Sequence, residues 1–185
     1  MKPFDKLNLS TKRLLLRPLT GHDAKVLFSI YSDPDVMVFW NTPPWTDMAK
    51  AEEMICKDTE ALKSGSYLRL GVESKEEPKL IGTCILFSFS EQCKRAEIGY
   101  ILAKEFWGKG LMNEALTALI DYAFKELALN RIEADIDPRN SASEKILRRL
   151  GFLKEGHLRE RWIINNEVTD SFIFGLLKKD WVKIK

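Results

Sequence analysis

The sequence predicts an α/β (α+β) fold: one central mixed, mostly antiparallel sheet of about seven strands, flanked by about four helices. Three observations carry this. Three stretches repeat apolar residues at three- and four-residue spacing, as one buried helix face does, and a fourth helix is marked by its caps. Short β-branched or alternating runs separate them. The middle of the chain is three such runs joined by tight polar turns. A helix then crosses over to a further strand.

Taken in order, Arg13 to Leu19 is the first strand, stopped at Pro18. Asp23 to Ser32 is helical, with Val26, Leu27, Ile30 and Tyr31 on one face, and Asp33-Pro34 ends it. Asp35 to Pro44 reads as irregular and carries Phe39 and Trp40, for which packing is the default and a cleft wall the alternative. Thr46 caps a second helix from Asp47 to Lys63, with Met48, Ala51, Met54, Ile55 and Leu62 inward and Gly65 after its end. Tyr67 to Val72, Leu80 to Phe89 and Ala96 to Leu102 form an antiparallel meander. The helix from Leu111 to Leu127 follows, then the strand Arg131 to Ile136. This crossover makes the fourth and fifth strands parallel. If they splay in a V at their C-terminal ends, a slot opens for a ligand. Asn140, or Ser141 with Glu144 as a capping box, starts a helix over Ser143 to Leu150, ended by Gly151. Leu153 to Ile164 and Glu167 to Leu177 form a hairpin on Asn165-Asn166. Lys178 to Lys185 is a charged tail that packs or frays around Trp181.

The turn at Trp107-Gly108-Lys109-Gly110 stands between a buried strand and a helix N-terminus. Free backbone N–H groups and the positive helix end suit a phosphate or pyrophosphate there. Neither common phosphate motif matches. A P-loop would need glycine at Ala103 and Ser or Thr at Gly110; a dinucleotide fingerprint would need glycine at Asn113.

The 185 residues are 45% hydrophobic and 30% charged with net charge +2, which fits one domain over residues 1–185. That charge does not point to nucleic acid, and no apolar run is long enough to span a bilayer. Cys56, Cys84 and Cys93 share no metal-ligand spacing and read as free thiols; with no signal-peptide pattern at the start, the expectation is a cytoplasmic protein without a metal.

An E-I-G-Y strand, a W-G-K-G turn opening a helix, and an N-x-x-S helix ending in G-F together resemble the GNAT superfamily of acyl-CoA-dependent N-acetyltransferases, on the RimJ/RimL-type branch that acetylates N-terminal amines of ribosomal proteins. The resemblance covers nearly the whole chain. It implies acetyl-CoA as cosubstrate. Its pyrophosphate would lie on the backbone of Trp107, Gly108, Lys109, Gly110, Leu111 and Met112, and its pantetheine arm on Tyr100, Ile101 and Leu102, with a hydrogen bond from Asn140. Where some relatives carry Gln or Arg before the loop, this chain has Glu105.

Amine attack on a thioester needs a base for the amine, a donor for the oxyanion and an acid for the thiolate. The resemblance places Ser143 near the thiolate, and puts Leu147 where many members have a Tyr. The base candidates are Asp135, five residues before Asn140, and Glu97; both would also suit ion pairs with Arg95 or Arg131. Trp162, with Glu160 close by, aligns where the branch often has a Glu. His157 reads as a surface histidine. The implied acceptor is a primary amine, a protein N-terminus among the options, and the protein a monomer or homodimer. A non-catalytic acyl-CoA-binding module and an unrelated phosphate-ligand protein are the competing classes.

Overall fold

The computed structural model describes residues 3–164 and 166–184. Eight strands form one sheet: β1 (Leu9–Ser10), β2 (Leu14–Arg17), β3 (Leu68–Ser74), β4 (Lys79–Ser90), β5 (Arg95–Leu102), β6 (Arg131–Ile136), β7 (Leu153–Ile164) and β8 (Glu167–Leu177). Their order is β1-β2-β3-β4-β5-β6-β8-β7, and only β5 and β6 run parallel. Six helices flank the sheet: α1 (Ala24–Tyr31), α2 (Pro34–Met37), α3 (Ala49–Ser64), α4 (Leu111–Lys125), α5 (Ser141–Arg149) and α6 (Lys178–Ile184).

The mixed, mostly antiparallel sheet is as expected. The structure adds β1, a two-residue edge strand, and two helices. α2 replaces the irregular start after Asp33: the Asp33 side chain accepts from Asp35 N at 2.9 Å and Pro34 stands at the first helical position, where its missing N–H costs nothing. α6 replaces the loose tail, with Trp181 buried and its indole donating to Asp121 Oδ1 at 2.7 Å. Thr46 does not cap α3. Met48 occupies the cap, and the Asp47 carboxylate accepts from Ala49 N at 2.9 Å. Met48 also faces outward rather than inward. Of the expected Asn165-Asn166 turn, Asn165 lies outside the described residues, and Asn166 takes a positive φ of 64°.

The two sheet faces pack differently, as strand alternation dictates. One face buries Leu68, Leu70, Cys84, Leu86, Ala96, Ile98, Ile132 and Ala134 with Leu116 and Ile120 of α4 and Leu147 of α5. The other packs Leu80 and Ile101 with Leu27 and Ile30 of α1 and Ala51 and Ile55 of α3. This second layer leaves one end of its face uncovered. Arg17 of β2 ties the layer down: its guanidinium donates to Asp23 at 2.8 and 2.9 Å and to Glu73 at 2.6 Å.

β5 and β6 pair at Arg95 with Arg131, Ala96 with Ile132 and Glu97 with Glu133. There the parallel pairing stops, though β5 continues to Leu102 and β6 to Ile136. This is the expected splay. From Ala134 onward β6 pairs only with β8.

Candidate active site

A cavity of about 560 Å³ runs into the splay. Its walls come from both faces of the sheet: Tyr100, Asn140 and Ser143 on one side, and Glu97, Gly99, Asp135, Thr83, Ile85, Phe87 and Arg69 on the other. Tyr31, Phe39, Trp40, Trp162, Arg161 and Asp170 complete it. Phe39 and Trp40 thus take the cleft-wall role rather than the pure packing role.

The Gly-rich turn lies between the C-terminal end of β5 and the start of α4. Gly108 and Gly110 both sit at φ +73°, a left-handed conformation that costs any L side chain, while a Cβ at Gly108 would meet nothing and one at Gly110 only Arg13 Nη2 at 3.7 Å. Backbone conformation, not crowding within the chain, therefore demands glycine. The first intrahelical bond of α4 runs from Glu114 N to Gly110 O at 3.2 Å, so Leu111, Met112 and Asn113 precede it with their N–H groups at the helix entry. This entry is braced from outside. Glu114 accepts from Thr11 Oγ1 at 2.6 Å, from Arg13 N at 2.8 Å and from Arg13 Nε at 2.7 Å, and Arg13 Nη1 donates to Lys109 O at 3.0 Å. Burial acts to raise the Glu114 carboxyl, but these hydrogen bonds outweigh it and hold it below its ordinary value. Trp107 is 47% exposed, and its indole donates to Leu102 O at 2.8 Å, joining the turn to the end of β5. Ile101 turns its side chain into the α1–α3 layer.

α5 starts beside the slot. Asn140 caps it, its Oδ1 accepting from Ser143 N at 3.0 Å, so Asn140 rather than Ser141 takes the capping role. Tyr100 reaches across, its hydroxyl donating to Ser143 O at 3.5 Å; burial pushes that phenol up to about 12. Leu147 is fully buried in the apolar core. A phenol in its place would have to leave that core to reach the slot.

The two base candidates differ in their surroundings. Both face the cavity. Arg95 and Arg131 do not pair with either; both bind Glu133, and Arg131 also binds Glu155. Asp135 Oδ1 accepts from Ser171 Oγ at 2.5 Å, Ser171 accepts from Trp162 Nε1 at 3.0 Å, and Arg161 Nε lies 3.7 Å from Asp135 Oδ2. Ser171 is fully buried. Sequence reasoning missed Ser171. Its signal was weak: a serine that follows Thr169 and Asp170 where the strand turns from polar to apolar. Glu160 takes φ +52° at a bulge in β7, and its backbone N–H donates to Asp170 Oδ1 at 2.8 Å. His157, half-exposed, pairs through Nε2 with Asp170 Oδ2 at 2.6 Å. Among the described residues no group of His, Cys, Asp and Glu is arranged to hold a metal, and no helix is long and apolar enough to cross a membrane.

Comparison with known proteins matches this geometry. The family model of the acetyltransferase (GNAT) domain matches residues 13–153. The chain belongs to this family and is an N-acetyltransferase by class. It is 41% identical over 173 residues to a Bacillus licheniformis protein named uncharacterized N-acetyltransferase p20, covering 94% of this chain and 97% of that one. It is 30% identical to the [ribosomal protein uS5]-alanine N-acetyltransferase of Escherichia coli (strain K12), over 95% and 93% of the two chains. Among solved structures, spermidine N-acetyltransferase from Vibrio cholerae in complex with CoA and spermine superposes with a TM-score of 0.82 at 26% identity, over 93% and 99%. The family uses acetyl-CoA as acyl donor.

Proposed function

We propose that the chain transfers an acetyl group from acetyl-CoA to a primary amine held in the cavity, and that the amine is a peptide-type N-terminal α-amine. One observation carries this reading: the cavity passes through the splay between β5 and β6, with Tyr100, Asn140 and Ser143 on one side and the carboxylates Glu97 and Asp135 on the other. In this reading the backbone from Trp107 to Met112 takes the pyrophosphate. The unpaired edge of β5 from Tyr100 to Leu102, with Asn140, takes the pantetheine arm.

Chemistry then falls to the residues at the slot. The incoming ammonium must lose a proton before its lone pair can attack the thioester carbonyl. We assign that proton to Asp135, whose carboxylate Ser171 orients, with Glu97 as the second candidate on the same wall. Collapse of the tetrahedral species expels a thiolate. In this reading the Ser143 hydroxyl donates to it, and the cap at α5 leaves it available, since that cap uses only the backbone N–H of Ser143 and the side chain of Asn140. Free Cys56, Cys84 and Cys93 fit a reducing, acetyl-CoA-supplied cytoplasm.

A polyamine acceptor is the second reading. It is favoured by four cavity carboxylates, Glu97, Asp135, Asp137 and Asp170. It is opposed by Arg69 on the same wall. A panel of N-terminal peptides, polyamines and small amines, read by thiol release from acetyl-CoA, decides. Release with peptides supports the proposal; release with polyamines alone replaces it. Binding of acetyl-CoA without release from any amine would make the protein a binding module.

A further inference from the structure

Arg69 is the second residue of β3 and lines the cavity together with Glu97 and Asp135. It is in register with Ile85 of β4, which is in register with Gly99 of β5. Two strand spacings place its Cα about 10 Å from that of Gly99 at the lip of the slot. The Ile85 side chain lies between them, close enough to Gly99 that a Cβ there would meet its Cγ2 at 3.2 Å, and forms part of the same wall.

The guanidinium carries five donors, and few are used. Nη1 donates to Tyr31 Oη at 3.3 Å and to Met54 Sδ at 3.0 Å, and a thioether is a weak acceptor. Nε is buried and makes no hydrogen bond. Asp58 Oδ1 lies within ion-pair reach at 3.4 Å, but it accepts its hydrogen bond from Tyr67 at 2.8 Å, and Asp58 Oδ2 is buried without a partner. Asp58 is not among the cavity walls. The Arg69 side chain is only 17% exposed, and Tyr31 beneath it is locked by stacking on Trp45 at 4.4 Å. A rigid cationic fork with unspent donors therefore faces the same space as the carboxylates. A planar carboxylate is the partner whose geometry meets two guanidinium donors at once.

We propose that Arg69 is an anion subsite of the acceptor cavity: the acceptor bears a carboxylate a short spacer away from its amine, and Arg69 binds that carboxylate while the amine points to the slot. This rests on the acetyl-transfer reading and narrows its substrate. The carboxylate comes either from a free amino acid or from an acidic side chain next to a peptide N-terminus. A polyamine would set a second cation against Arg69.

Matched pairs test this on the full chain. One pair is glutamate against glutamine. The other is a peptide beginning Gly-Asp against the same peptide beginning Gly-Asn. Binding is measured by calorimetry with CoA present, so no turnover is needed, and kcat/KM is measured with acetyl-CoA. The acidic member of at least one pair should bind and react about tenfold better or more, and which pair does so identifies the source. Arg69→Gln should bring that pair to within about threefold, and Arg69→Lys should restore part of the gap. Acid-selective binding without thiol release would support the subsite and remove the transfer reading. Thiol release with no acid preference in either pair, or equal losses on both members in Arg69→Gln, would overturn the subsite. The wild-type pairs decide even where Arg69→Gln fails to fold.

Discussion

The Ser171 hydroxyl donates to the Asp135 carboxylate at 2.5 Å, across the pairing of β8 with β6. Ser171 in turn accepts from the Trp162 indole at 3.0 Å. One carboxylate oxygen is thereby fixed, and the other remains near Arg161 at the cavity wall.

Asp135→Asn should lower kcat by about 10²-fold near neutral pH with little change in acetyl-CoA affinity. Ser171→Ala should lower kcat less, because Asp135 survives but loses its orientation. Both are read from pH–rate profiles. A profile left intact in Asp135→Asn, together with a lost acidic limb in Glu97→Gln, would move the base to Glu97.

Ser143→Ala should lower kcat by about 10²-fold and leave the melting temperature nearly unchanged. Alanine keeps the backbone N–H that Asn140 Oδ1 accepts, so the cap survives the change. Turnover and thermal stability are measured together. A lower melting temperature with normal turnover would hand the thiolate's proton to solvent.

Gly110→Val should weaken acetyl-CoA binding about tenfold or more. Valine cannot hold φ +73° without strain, so the backbone N–H groups that open α4 would turn away. Calorimetry on a variant shown to be folded gives the answer. Unchanged affinity would remove the pyrophosphate from this turn.

Asp23→Asn should destabilise the fold by about 2–3 kcal/mol at pH 7, because it strips the part-buried Arg17 of one of its two carboxylate partners, leaving Glu73 alone. Burial acts to raise the Asp23 carboxyl, and hydrogen bonds from Arg17 and Thr20 overcome this and hold it below its ordinary value of 3.8. A depressed folded value means that the stability is present above 3.8 and is lost as pH falls through the folded value. The gap in melting temperature between wild type and variant should therefore close in acid. A gap that widens in acid would contradict the sign.

The slot was legible because its parts are local. The strand, the glycine pair and the amphipathic helix follow each other within one stretch, and a strand–helix–strand crossover forces parallel pairing at β5 and β6. Asn140 was legible as a cap because capping is set by its immediate neighbours. Arg69 and Ser171 were not. Each is a polar residue on a half-buried strand, and its partners come from other elements: Tyr31 and Met54 for one, Asp135 and Trp162 for the other. The aromatic Phe39 and Trp40 were visible but ambiguous, since packing and wall-building demand the same residue types. α6 escaped for a related reason. Its charged residues hide a buried anchor, Trp181, whose partner lies on α4.

The opening between β5 and β6 has walls from both faces of the sheet, and this shapes the kinetics. A donor approaching from the α4–α5 side and an acceptor approaching past Phe39 and Trp40 do not share a doorway. Neither has to depart for the other to arrive, and the cavity lining holds no cysteine to carry the acyl group between them. The expected scheme is a ternary complex with direct transfer, so double-reciprocal plots at varied donor concentration should intersect rather than run parallel.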